Sequence, residues 1–76
     1  MKIYSAKYSY GTIYGSYGGA TTYVGYDQQK AIDSLDDKVI MNINEDLIFD
    51  LKGEIEKHVE EWEDGEFVRF VLSSRR

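Results

Sequence analysis

This 76-residue chain contains no cysteine, which excludes a disulfide framework, a thiolate metal site and a nucleophilic thiol together. No apolar run approaches the roughly 20 residues needed to span a bilayer as a helix, and the start, Met1-Lys2-Ile3-Tyr4, lacks the apolar stretch of a secretory signal. A cytoplasmic protein, with no membrane partner and no cofactor, is the expectation. The first 26 residues carry no acid, and there is one histidine in the whole chain. The spacing of an EF-hand loop is missing. The glycines at 11, 15, 18 and 19 lack the following Lys-Ser/Thr of a phosphate-binding loop.

What is present is concentrated. Residues 8–26 hold six of the seven tyrosines and five of the seven glycines. Charge is segregated as well. Residues 1–26 are net +2, residues 27–66 carry all fourteen acids against four lysines, and residues 67–76 carry three arginines, for a total of -5. Such separation sets up opposed fields on a small surface, which bears on partners and association rate rather than on fold. With 42% hydrophobic and 30% charged residues the chain reads as one globular domain. Its size limits it to a small core and low stability.

Residues 2–9 alternate, with Tyr4, Ala6 and Tyr8 on one side and Ser5, Lys7 and Ser9 on the other, the period of a half-buried strand. Placing turns at Tyr10-Gly11 and Gly18-Gly19 makes residues 1–26 a three-stranded antiparallel meander, with Tyr10, Tyr14 and Tyr23 as its surface aromatics. Residues 27–36 read as a short helix capped by Asp27, with Ala31, Ile32 and Leu35 as its apolar stripe. The dense apolar run at 38–43 reads as a strand buried on both faces.

In residues 44–62, Leu47, Ile48, Leu51, Ile55, His58, Val59 and Trp62 fall within one arc at helical spacing, and the pattern predicts a long amphipathic helix. Asp46, Asp50, Glu54 and Glu61 would form an acidic ridge on its outer side. Phe49 and Gly53 oppose this reading. The competing one makes residues 54–62 a strand joined through Asp64-Gly65 to residues 67–72, pairing Trp62 with Phe67 and Glu60 with Arg69, and setting Glu63 against Glu66. Residues 67–72 are a strand under both readings, and 73–76 a basic tail. The favoured expectation is an α+β two-layer sandwich, in which a tyrosine-rich meander and further strands pack on one short and one long acidic helix.

His58 has no nucleophile beside it in sequence and reads as a packing residue, and no residue is singled out as catalytic. The favoured function is a non-enzymatic protein-binding module. In size, acidity and lack of cysteine the chain resembles, by composition alone, the small anti-defence proteins of phages and mobile elements, anti-CRISPR proteins among them. The likeness implies an inhibitor occluding a basic groove of a nucleic-acid-processing protein. Asp46, Asp50, Glu54 and Glu61 would supply charge, and Tyr10, Tyr14 and Tyr23 contact area. Two alternatives stand beside it: a single-stranded nucleic-acid binder using the tyrosine-bearing sheet face, and a structural subunit that homodimerises through its last strand.

Overall fold

The computed structural model describes residues 1–12, 15–43 and 55–74. Four strands and two short helices follow one another as β1 (Lys2–Thr12), β2 (Gly15–Gly25), α1 (Gln28–Asp33), α2 (Asp37–Ile43), β3 (Ile55–Glu63) and β4 (Glu66–Ser74). The strands form one antiparallel sheet in the order β2-β1-β3-β4. This replaces the expected sandwich with its long acidic helix: the described residues are mostly sheet, and the helices among them have six and seven residues.

Three local expectations are corrected. The meander is a single long hairpin, because Gly18 and Gly19 lie inside β2 opposite Tyr10 and Ser9 instead of turning the chain. A Cβ at Gly19 would collide with the Tyr8 carbonyl oxygen, so this glycine serves close backbone approach. Residues 38–43 belong to α2. Asp36 starts that helix, its carboxylate accepting from Lys38 N at 2.9 Å and its carbonyl from Val39 N at 2.9 Å and Ile40 N at 3.1 Å. Only Ile40 of its described side chains is buried, as a one-sided helix allows and a doubly buried strand does not.

The third correction falls on residues 55–62, which are strand. Ile55, Lys57, Val59 and Glu61 share the covered side and Glu56, His58, Glu60 and Trp62 the other, a division that does not separate apolar from polar residues, so the sequence pattern favours the helical arc over the strand. Pairing with β1 on one side and β4 on the other decides between them. Asp64 (φ 50) and Gly65 (φ 83) form the tight turn that joins β3 to β4, both in the left-handed region that such two-residue hairpins require. The expected helix at 27–36 is present in shorter form. Asp27 caps α1 by accepting from Lys30 N at 3.1 Å, and Tyr23 Oη accepts from Asp27 N at 3.1 Å, tying the helix start to β2.

Topology dictates where the core forms. Because β2 and β3 both run antiparallel to β1, they are parallel to each other, and the connection between them crosses the sheet with α1 and α2 in it. Tyr4, Ala6, Tyr8 and Tyr10 of β1 and Val59 of β3 therefore bury against Ala31, Leu35 and Ile40. Thr22, the extra residue where the β1–β2 register shifts, hydrogen-bonds Ser34 at the end of α1 at 2.6 Å. The other connections are hairpins, which add no layer. Among the described residues, one face of the sheet is covered and the other is not.

A bare aromatic face as the candidate protein-binding site

The uncovered face follows from the register. Ile3, Ser5 and Lys7 of β1 stand opposite Trp62, Glu60 and His58 of β3, all on the side away from the helices. Trp62 and Glu60 in turn stand opposite Phe67 and Phe70 of β4. Residues 67 and 70 would point to opposite sides of a regular strand. They share a face because Val68 is an extra residue in the ladder, one of two β4 bulges, the other at Val71. The second bulge restores Leu72 to the core side, opposite Val59.

The bulge brings the rings together. Phe67 and Phe70 meet edge to face at 5.0 Å, Trp62 meets Phe67 at 5.7 Å, and His58 meets Phe70 at 5.5 Å. Phe67 and Phe70 remain 45% and 54% exposed, and Ile3 and Val24 extend the apolar surface across β1 to β2. Aromatic pairs in this geometry attract one another beyond the area they bury.

At its centre lies Glu60. Its Oε1 accepts from Trp62 Nε1 at 2.9 Å, and Lys7 Nζ reaches both carboxylate oxygens at 3.3 and 3.4 Å. His58 Nε2 lies 3.0 Å from Oε2. Partial burial pushes the Glu60 pKa up, but the hydrogen bonds from Trp62 and Lys7, the Lys7 charge and the hydrogen bond from His58 outweigh it and hold the carboxyl below its ordinary value. The aromatic patch thus encloses a charge already answered from within the chain.

Glu63 and Glu66 pair across the β3–β4 hairpin on the side of the sheet shared with Glu61, and with Asp64 they gather three exposed carboxylates at the turn between Trp62 and Phe67. Like charges directly opposite disfavour the pairing. The Met1 ammonium, 3.4 Å from Asp64, offsets part of this.

The structure redistributes the residues singled out from sequence. Tyr10 is not a surface anchor: it is 8% exposed, stacks with Tyr8 at 6.4 Å and covers Gly18, whose Cβ would lie 3.2 Å from Tyr10 Oη. Tyr23 is half-buried on the helix side opposite Ala6, packed against the core. Glu61 is not on an outer ridge. It is 2% exposed on the covered side, held by Arg69 at 3.3 Å and Lys2 at 3.8 Å. Tyr14, Asp46, Asp50 and Glu54 lie outside the described residues. Trp62, Phe67, Phe70 and Glu60 were not picked out as a site, although the hairpin alternative already paired Trp62 with Phe67.

Among the described residues no cluster of three metal-ligating side chains occurs, and no helix is long and apolar enough to cross a membrane. Compared with protein-family models, with curated proteins and with solved structures, the chain finds no match in any of the three.

Proposed function

We propose that this chain is a non-enzymatic protein-binding module that docks through the bare face of its sheet. The partner is a protein that offers an apolar recess edged by basic groups. The observation that carries this reading is the edge-to-face group of Trp62, Phe67 and Phe70, with its two phenylalanines about half exposed on the bare sheet face and the exposed carboxylates of Glu63, Asp64 and Glu66 at the hairpin turn beyond it. Rigid aromatic side chains give contact area at low entropic cost and dominate binding energy when a partner seals them from water. A net charge of -5 steers such a module toward cationic surfaces. An inhibitor that occludes the basic groove of a nucleic-acid-processing protein, of the kind phages and mobile elements carry, fits these properties. Aromatic anchoring then comes from β3 and β4 instead of from the tyrosines.

The test compares capture of nucleic-acid-processing proteins from a host lysate by three immobilised forms: the wild type, a Phe67→Ser/Phe70→Ser variant and a Glu63→Lys/Glu66→Lys variant. The expected result is a salt-sensitive complex with the wild type that both variants lose while keeping their circular dichroism. Equal capture by folded variants refutes the reading. Tight, salt-sensitive binding of labelled single strands by the wild type refutes it in favour of nucleic-acid stacking on the same rings.

A further inference from the structure

We infer that in the free protein the bare sheet face is covered by a second copy of the same chain, so that self-association and partner binding compete. The inference rests on the reading of this face as a docking surface and names what regulates it.

Three features favour a second copy as occupant. The first is charge. Glu60 is answered by Lys7, His58 and Trp62 of its own chain, and among the described residues no buried side-chain polar atom lacks a hydrogen-bond partner. A face that completes its polar network internally can meet an identical face without stranding a charge, which is what makes burial of an ionic group tolerable. The second is area. A nine-residue strand such as β3 is about 30 Å long, and four strands span about 19 Å, giving a planar footprint of about 600 Å². Side-chain relief raises the accessible area toward the ~800 Å² per partner of a standard stable interface.

The third is the state of the edges. Both edge strands, β2 and β4, carry two register shifts each. Bulges at an edge oppose growth of the sheet by strand addition, so association is directed to the face and away from the last strand. Face-to-face packing about 10 Å apart around a twofold axis would yield a helix–sheet–sheet–helix dimer, with Phe67 and Phe70 in its middle layer.

The salt dependence of such a dimer has a definite sign. Each copy carries -5, so the copies repel, and added salt screens the repulsion over a Debye length that shrinks from about 10 Å at 0.1 M toward about 3 Å at 1 M. Self-association therefore strengthens with salt, whereas docking on a basic partner weakens.

Analytical ultracentrifugation of the full chain from about 1 to 100 μM, at 0.05 and 0.5 M NaCl, tests this. The expected result is a concentration-dependent dimer that forms more readily at the higher salt. Phe70→Glu should lower the dimerisation constant by roughly 100-fold, because a loss of about tenfold per copy enters twice at a twofold interface. Val39→Lys, on α2, should leave it unchanged. Should Phe70→Glu fail to fold, Val24→Lys, at a position 64% exposed on the same face, carries the test. A protein that stays monomeric at 100 μM and 0.5 M NaCl overturns the inference and leaves the docking reading standing. A dimer indifferent to both substitutions overturns the choice of face. Partner capture that survives Phe67→Ser/Phe70→Ser refutes the docking reading whatever the oligomeric state.

Discussion

Replacing Tyr10 by serine offers a direct measure of how the hairpin is built. Tyr10 is 8% exposed, lies against Tyr8 and Gly18, and belongs to the same buried cluster as Leu35 and Ile40. Large-to-small replacement of a buried aromatic costs about 3–5 kcal/mol through lost transfer energy and the cavity left behind; the polar hydroxyl of tyrosine puts this site near the lower end, about 3 kcal/mol. A 76-residue domain has roughly 4–11 kcal/mol in total, so the change removes between a quarter and most of it. Trp62 is the only tryptophan and reports unfolding by fluorescence. In urea, with a slope of about 1 kcal/mol per molar for so small a protein, the midpoint should fall by about 2–3 M. Tyr26→Ser, at a position 66% exposed, should shift it by less than about 0.5 M. If the two variants behave alike, Tyr10 faces solvent and the single long hairpin is wrong; the meander, with its turn at Tyr10-Gly11, would then regain its standing.

Two further outcomes are expected. Gly19→Ala should destabilise the protein by about 2 kcal/mol or more, since the new Cβ meets the Tyr8 carbonyl within β1; a midpoint within 0.3 M of wild type would remove the close approach from the account. Glu60 has a folded pKa below its ordinary value of 4.5, so its stabilisation is fully present above about pH 5.5 and is lost as pH falls through 4.5 and below. Glu60→Gln should therefore be less stable than wild type at pH 7 and approach it near pH 3 in parallel denaturation curves; a constant difference would dissociate the carboxylate from the network.

Some of this was legible in the residues. The alternation of residues 2–9 gave the covered side of β1, and the same parity places Tyr10 beside Tyr4 and Tyr8. Assigning Tyr10 to a turn broke that parity. The error arose because glycine serves two unlike purposes, positive φ and close backbone approach, which are identical on paper; Gly65 uses the first and Gly19 the second. Residues 55–62 fit a helical arc and lack a clean alternation, because Lys57 and Glu61 sit on the covered side of the strand; the deciding fact, that β1 needs a neighbour on its second side, exists only in three dimensions. Asp36 closes the helix expected at 27–36 and in the structure caps the next one, two uses of aspartate that the sequence does not separate. The aromatic face was half visible, since an Asp-Gly turn implies the Trp62–Phe67 pair. Phe70 was not, because a bulge adds a residue without any mark in hydrophobic period.

The strand order has a consequence for how the chain reaches this state. β1 with β2, and β3 with β4, are each closed by a few residues, so two hairpins can form within microseconds from local contacts. The central ladder joins Lys2 to Glu63 and Tyr10 to Ile55, the two ends of the sequence, and its loop-closure entropy must be met before the pairing stabilises anything. Docking of the two hairpins is then the slow step. Until it occurs β1 and β3 each have an open inner edge, in a protein whose outer edges are interrupted by bulges, and the interval before docking is the time of greatest exposure to misassembly.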